Sequence, residues 1–180
     1  LDLSETDLSM TFNSIFSTGS ATNGVKFDDV TGTFTVTGTT QVINSGETSL
    51  LVENSPGVSI DFGDTTVTGA GSTAGHAIDL SNNNAGSTFT FDALEVTTSN
   101  GKGLVANNSG TININSTDTT IQAVGGAAID IEATAGQTNG VSGWTFESLT
   151  SLNSVNDGVR LKDLTDPFVV TGNTSIANHT

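Results

Sequence analysis

The chain has 180 residues, enough for one domain with a substantial core, and 34% of them are hydrophobic. Nineteen acidic residues against four basic ones give a net charge of −15, which excludes nucleic acid as an expected partner because phosphate repels such a surface. No apolar run reaches the roughly 18 residues that a membrane helix needs, so we expect no membrane insertion. Cysteine is absent, which rules out disulfides and thiol chemistry.

A short apolar–polar–apolar unit recurs along the whole chain. It begins at positions 1, 25, 50, 78, 104, 129 and 159, so the repeat is 24 to 30 residues long. Alternation with period two predicts a strand with one buried face. The inward pairs of this first strand are Leu1/Leu3, Val25/Phe27, Leu50/Val52, Ile78/Leu80, Leu104/Ala106, Ile129/Ile131 and Val159/Leu161.

Two further strand-like units follow within each repeat. The inward pairs of the second strand are Met10/Phe12, Phe34/Val36, Ile60/Phe62, Phe89/Phe91, Ile112/Ile114, Trp144/Phe146 and Phe168/Val170. The inward residues of the third strand are Phe16, Val42, Val67, Val96, Ile121, Leu152 and Ile176. No segment has the apolar stripe of a helix, and Gly and Asn recur between the strands, where the chain must turn.

Three short strands about every 26 residues predict an all-β fold, a parallel β-helix (solenoid) with about seven rungs. Each rung stacks on the next at about 4.8 Å, which makes a rod about 30 Å tall. A β-sandwich is the competing fold, but it does not explain seven aligned triplets of strands. We predict a single domain over residues 1–180. Because "LDL" at the start matches a repeat already under way, we expect it to be part of a longer protein.

The strands "GVKF", "HAIDLSN", "AAIDIEA" and "GVRLKD", with "MTF", "FTF" and "WTF", resemble the right-handed parallel β-helix family. That family includes pectate lyases, phage tailspikes and the passenger domains of autotransporters and large bacterial surface proteins. Rungs rich in Thr, Asn and Gly resemble the surface-protein repeats more than the enzymes. The resemblance therefore implies a right-handed solenoid in a secreted bacterial protein, located outside the cell or at its surface.

The strand pattern assigns structural roles to many residues. Adjacent rungs bring Asp130 beside Arg160 and Glu132 beside Lys162, which predicts cross-rung ion pairs, with Asp2 and Lys26 as a third pair. The large side chains that repeat at inward positions form the predicted core. They are Phe27, Phe34, Phe62, Phe89, Phe91, Ile112, Ile114, Trp144, Phe146 and Phe168.

Asp28, Asp29 and Glu53 are the strongest candidates for a carbohydrate or cation site. Asp28 and Glu53 fall on adjacent rungs, and two carboxylates about 5 Å apart can act as a glycosidase pair or hold a cation. We favour a solvated acidic edge over such a site, because Tyr is absent and the single Trp points inward, which leaves no aromatic platform for a sugar. We predict no cofactor, and calcium would bind here only nonspecifically.

The sequence contains no complete catalytic set. Pectate-lyase-like β-helices use an Arg or Lys base with a calcium cluster, and Arg160 has no acidic cluster beside it in the sequence. Polygalacturonase-like β-helices use several Asp with a His and a basic motif. "NDGVRLKDL" and His76 match parts of that set but lie 84 positions apart. His179 is terminal, and no spacing resembles a zinc site. We therefore expect no enzymatic activity.

Outward Thr residues raise the possibility of ice binding, which uses regular Thr arrays on a flat solenoid face. The outward column of the second strand is Thr11, Thr35, Asp61, Thr90, Asn113, Thr145 and Val169. Asp61, Asn113 and Val169 interrupt it, and Thr also suits any exposed strand face.

Neither end of the chain carries an amphipathic helix that could serve as a cap. Open solenoid ends expose unpaired backbone groups and core side chains, so we predict end-to-end self-association. The favoured function is a structural or adhesive solenoid module that presents polar faces to surface glycans or other cell-surface ligands. A carbohydrate-binding or carbohydrate-cleaving β-helix is the alternative, and an ice-binding solenoid is the third.

Overall fold

The computed structural model describes residues 1–70, 75–83, 86–132, 140–142, 144–164 and 167–178. All regular secondary structure in these residues is β-strand. Among them, no helix is long and apolar enough to cross a membrane. The strands are β1 Asp2–Thr18, β2 Val25–Ile43, β3 Leu50–Glu53, β4 Ser59–Asp61, β5 Asp64–Ala70, β6 Ile78–Asp79, β7 Thr88–Phe91, β8 Ala93–Thr98, β9 Leu104–Asn107, β10 Thr111–Ile114, β11 Thr119–Val124, β12 Ile129–Glu132, β13 Gly140–Ser142, β14 Trp144–Leu152, β15 Val159–Lys162 and β16 Phe168–Ala177.

The strands stack as a parallel β-solenoid, with each turn of the chain lying on the turn before it. The first-strand column runs β1, β2, β3, β6, β9, β12 and β15, so seven layers are joined by about six turns. Every pairing between neighbouring layers is parallel. The seven strand starts predicted from the sequence are therefore the seven layers of the structure.

The first two layers differ from the rest because their three strands merge. β1 runs for 17 residues and β2 for 19 without interruption, whereas the third layer is divided into β3, β4 and β5. The break after β3 falls at Asn54–Gly57, where Asn54 and Gly57 have positive φ and Pro56 has no N–H to donate. The predicted three short strands per rung thus hold in the third, fourth and fifth layers, whereas in the last two layers the second and third strands merge into β14 and β16.

A continuous apolar core fills the solenoid. Phe89 lies in register between Ile60 and Ile112, and the Phe62 and Phe91 rings stack with centroids 5.2 Å apart. Phe168, in the last layer, is half-buried. The other nine predicted core residues are buried: Phe27, Phe34, Phe62, Phe89, Phe91, Ile112, Ile114, Trp144 and Phe146.

The third strand shows that two inward assignments, Phe16 and Leu152, were wrong. Ile15 is buried and Phe16 is 65% exposed, so the phase of β1 is shifted by one residue. A register irregularity between Phe12 and Ser14 marks the place of this shift. In β14 the residue that pairs in register with the inward Ile121 is Leu149, not Leu152. Ile176 pairs with the fully buried Ser151 and so holds the predicted inward position, but it is exposed in the last layer.

The Trp144 layer also departs from the predicted column. Ile112 pairs with Val141, so Trp144 does not continue the Ile60–Phe89–Ile112 column. Trp144 pairs instead with Phe168, and its indole N–H donates a hydrogen bond of 2.9 Å to the Ile112 carbonyl. This bond satisfies the polar end of a fully buried side chain.

Two turn positions repeat through the stack with a left-handed backbone. Asn and Asp tolerate this conformation better than other residues with a side chain, and Gly accepts it freely. The turn after the first strand has positive φ at Glu5, Asp29, Asn54, Asn82, Asn108 and Asp163. The turn after the third strand has positive φ at Gly19, Asn44, Gly69, Gly125, Asn153 and Asn178.

Candidate functional site

The outward face of the first-strand column concentrates the positive charge of the molecule. The chain has four basic residues, and each of them takes part in an ion pair on this face. They are Lys26, Lys102, Arg160 and Lys162. Elsewhere the surface is acidic or neutral, so this face is where a ligand would meet both signs of charge.

Five side chains form one ion-pair network across three layers. Asp130, only 6% exposed, is held between Lys102 and Arg160, with Arg160 Nη1 3.3 Å from Asp130 Oδ1. Arg160 also binds Glu132, which in turn binds Lys162. The hydrogen bond from Lys162, reinforced by Arg160, lowers the pKa of the Glu132 carboxyl. Glu132 is therefore ionised at neutral pH.

An open groove of about 390 Å³ lies along this network. His76, Lys102, Asp130, Asp157 and Arg160 bring donors and acceptors to it. Four glycines also line the groove and contribute no side chains to it: Gly75, Gly101, Gly125 and Gly126. The groove is therefore lined partly by glycine backbone without side chains and partly by charged groups.

His76 is the one titratable group of the groove with a buried polar atom left unpaired. Its Nδ1 has no hydrogen-bonding partner among the described residues. Burial lowers the pKa of His76, and the positive charge of Lys102 acts in the same direction, against the opposing effects of Asp79 and Asp130. The imidazole is therefore neutral at physiological pH and can accept or donate one hydrogen bond.

Sequence reasoning set His76 and Arg160 apart because 84 positions separate them. The solenoid brings both to one groove, because His76 and Lys102 each lie two residues before a first strand and are therefore on neighbouring turns. Asp130 and Arg160 pair directly in register. This grouping could have been found from the sequence by aligning the residues that precede each first strand as well as those within it.

The acidic candidates Asp28, Asp29 and Glu53 are placed in structural roles. Lys26 Nζ lies 3.0 Å from Asp28 Oδ2 and 3.4 Å from Glu53 Oε1, so Lys26 pairs with these residues rather than with Asp2 as predicted. Asn54 Nδ2 donates to Asp28 Oδ1 at 3.0 Å. Asp29 occupies the left-handed turn position, with φ of 53°.

The electrostatics of this acidic group argue against acid catalysis. The hydrogen bond from Asn54, together with that from Lys26, lowers the pKa of Asp28, so it is ionised rather than poised to give up a proton. Asp28 and Asp29 do border an open depression with Asp2 and Glu5. Within the described ranges, no group of three His, Asp or Glu side chains is arranged to hold a metal ion.

The outward Thr column is in register but irregular. Thr35 pairs with Asp61, Asp61 with Thr90, and Thr90 with Asn113. Asn113 then pairs with Ser142, so Thr145 does not continue the column as predicted. A charged residue and two non-Thr polar residues therefore break this face into short segments.

The fold and the charged groove described above follow from the structure of this chain alone. A scan against models of known protein families, a search of curated proteins and a search of solved structures found no match to the chain.

Proposed function

We propose that this chain is a non-catalytic structural or adhesive module, a stiff β-solenoid segment of a bacterial protein exposed outside the cell. The carrying observation is the unbroken apolar stack, in which the large aromatic side chains of the middle layers are fully buried against one another. In such a stack each turn is supported by both of its neighbours, so the module resists bending without any cofactor.

The surface charges support the same role. All four basic side chains form ion pairs with acids of a different turn, and three of these pairs are Lys102 with Asp130, Arg160 with Asp130, and Lys162 with Glu132. Lys26 likewise bridges Asp28 and Glu53 of adjacent turns. Charges committed to neighbouring turns reinforce the stack and are not free to act as catalytic acids or bases.

Three experiments test this proposal. Hydrogen exchange should show strong protection throughout the middle strands, because a load-bearing stack opens as a unit. Incubation with a panel of acidic and neutral polysaccharides should release no products above a blank, and antibodies against the chain should label intact cells of the source organism. Turnover of any polysaccharide that is lost in the His76→Ala variant would overturn the non-catalytic assignment.

A second candidate function is supported by the groove. Its charged border offers both donors, from Lys102 and Arg160, and acceptors, from Asp130 and Asp157. Such a mixed border suits a hydroxyl-rich ligand, since each sugar hydroxyl both donates and accepts. We propose that the groove binds a surface glycan, with His76 Nδ1 as an additional hydrogen-bonding atom.

Glycan-array binding tests this second role with matched variants. Asp157→Ala removes an exposed acceptor from the groove, whereas Asp64→Ala removes an equally charged, exposed residue on β5, outside the groove. We expect Asp157→Ala to weaken binding about tenfold and Asp64→Ala to leave it unchanged, as one lost hydrogen bond to a charged group predicts. Binding that is absent in the parent chain, or equal in both variants, would remove the groove as a glycan site.

A further inference from the structure

Three of the glycines that line the groove occupy the same position in consecutive layers. Gly75, Gly101 and Gly126 each lie three residues before a first strand. In the layers on either side, that position holds Glu47 and Asn156, which have side chains. The groove therefore lies where this column lacks side chains, and it spans four layers, about 14 Å at the ordinary strand spacing.

Lys102 and Arg160 bring spare hydrogen-bond donors to this groove. Asp130 lies between them and is almost fully buried, and its Oδ2 is bound by Lys102 and its Oδ1 by Arg160. An ammonium group has three N–H donors and a guanidinium has five. Among the described residues, the Lys102 side chain donates only to Asp130, and that of Arg160 only to Asp130 and Glu132. Both cations therefore keep N–H groups for a ligand, whereas Asp130 keeps almost no accessible acceptor.

The ion-pair network beside the groove has a positive net charge, although the chain as a whole carries −15. Its three basic and two acidic side chains give the network a net charge of +1. The other ion-pair group on this face, Lys26 with Asp28 and Glu53, has a net charge of −1. Of the two ion-pair groups, the one that borders the groove therefore attracts a negatively charged group, and the other repels it.

Two uncharged or acidic groups extend the groove beyond these cations. His76 and Asp157 lie in the first and the last of its four layers. The buried His76 Nδ1 has no hydrogen-bonding partner in the part of the chain that the structure describes. Asp157 is exposed, and within the same part of the chain it is not among the acids that pair with Lys102 or Arg160. A ligand thus meets spare cationic donors between an imidazole and a carboxylate that can bond to hydroxyl groups.

We propose that the groove selects an acidic glycan, whose anionic oxygen group, a carboxylate or a sulfate, binds between Lys102 and Arg160 while its sugar hydroxyls bind beside it. This inference rests on the glycan site proposed above and names the chemical class of its ligand. Lys102 and Arg160 both reach Asp130, so one anionic group on the open side of the groove can contact both cations. Charge-assisted hydrogen bonds of this kind are about twice as strong as neutral ones. Lys102 and Arg160 are called the anion subsite below.

Three forms of one polysaccharide test this class of ligand: neutral dextran, carboxymethyl-dextran and dextran sulfate. Biolayer interferometry at a fixed salt concentration gives a dissociation constant for each. We expect at least one anionic form to bind about tenfold more tightly than dextran, as a hydrogen bond between charged groups predicts. Tighter binding of one anionic form alone would support the proposal and identify the group. Repulsion by the net charge of −15 predicts the reverse order, and equal or weaker binding of both anionic forms would overturn the proposal.

Lys102→Gln and Lys26→Gln form a matched pair of variants that locates the anion subsite. Each removes one positive charge from the first-strand face, and both lysines are ion-paired, but only Lys102 lines the groove. Lys102→Gln should weaken binding of the favoured anionic form about tenfold and leave dextran binding unchanged. Lys26→Gln should change neither. Equal losses in the two variants would assign the binding to general charge and overturn the proposal.

Asp130→Asn tests the same subsite in a direction that unfolding cannot imitate. The substitution keeps the shape of the side chain and removes its buried negative charge, so Lys102 and Arg160 should bind the anionic form about fivefold more tightly. The fluorescence of the buried Trp144 shows whether the variant is folded. Unchanged or weaker binding by folded Asp130→Asn would overturn the proposal.

The outcomes separate this inference from the glycan site on which it rests. If dextran binds as tightly as its anionic forms, and Asp157→Ala weakens that binding, the anion subsite is refuted and the glycan groove remains. If none of the three forms binds and the glycan array shows no ligand, both are refuted. The structural role of the solenoid depends on neither result, because hydrogen exchange tests it independently.

Discussion

Phe62 and Phe12 hold the same kind of inward position on the second strand, but one lies in the middle of the stack and the other in its first layer. Phe62 is fully buried, and its ring stacks on Phe91 and meets Phe27 at 6.2 Å. Phe12 pairs in register with Val36, its ring meets that of Phe34 at 5.3 Å, and it remains 38% exposed. In a solenoid, burial thus depends on whether both neighbouring turns are present as well as on the direction of the side chain.

The largest expected effect separates these two phenylalanines directly. Phe62→Ala should lower the free energy of unfolding by about 3–5 kcal/mol, because it leaves a cavity between two layers. Phe12→Ala should cost about 1 kcal/mol or less, since the site is open to solvent on one side. Urea unfolding followed by the fluorescence of the single, buried Trp144 measures both. Equal losses would show that the first layer is as tightly packed as the middle.

A buried polar network provides the second test of the same contrast. Asn83 Nδ2 donates to the carbonyls of Val52 at 2.9 Å and Leu80 at 2.7 Å, and Asn83 Oδ1 accepts from the Ser55 amide. Asn83→Ala should cost about 2–3 kcal/mol, because the buried backbone groups lose their partners.

The matched control occupies the equivalent position of the first layer. Thr6 lies beside Val30 and is only partly buried. Thr6→Ala should change the unfolding free energy by no more than about 0.5 kcal/mol. Urea unfolding again measures the free energy of unfolding of both variants. A comparable loss in the two would contradict the idea that this position stabilises the fold only where a layer lies on each side of it.

Two glycines with nearly the same backbone angle extend the comparison to the turns. Gly69 has φ of +68°, and a Cβ there would lie 2.1 Å from Asn44 Oδ1, whereas Gly19 has φ of +64° with nothing within 4 Å. Gly69→Ala should therefore cost about 2 kcal/mol or more, and Gly19→Ala about 1 kcal/mol from the backbone alone. If Gly69→Ala is no worse than Gly19→Ala, Asn44 has room to move and the turn is less tightly stacked.

The smallest expected effect is on the pH dependence of stability, and it again concerns a middle layer. Because the pKa of His76 is lowered in the folded protein, the unfolded chain alone takes up a proton as pH falls below about 6.5, so stability should decrease there. Asp28 and Glu132, whose pKa values are also lowered, lose their contributions only at more acidic pH.

Unfolding in urea at pH 7.5 and pH 5.5 measures this effect. His76→Gln should flatten the difference between the two pH values, and His179→Gln, at the chain's other histidine, serves as the control. His179 lies outside the described residues. An unchanged pH profile in His76→Gln would show that the ring is equally protonated in the folded and unfolded chains.

Most of the fold could be predicted from the periodicity of the sequence, but the phase of the third strand and the residues of the groove could not. The repeat predicts that Phe27, Phe89 and Ile129 each take an inward position on their strand, because a two-residue alternation admits one buried face. In "SIFST" both Ile15 and Phe16 satisfy an apolar alternation, and only the register slip after Phe12 selects Ile15. The slip is a backbone event that local sequence does not reveal.

By itself, the sequence determined the all-β solenoid, its seven layers and the residues that fill its middle, since these follow from local alternation and a repeat length. The sequence also predicted the outward ion pairs of Asp130 with Arg160 and of Glu132 with Lys162, but only the tertiary structure decided which of the other outward residues act together. It placed His76 in a groove with Arg160, made Lys26 bridge Asp28 and Glu53, and left Phe12 exposed. The physical reason is that these properties depend on the stacking of one turn on another, where a shift of one residue changes every neighbour.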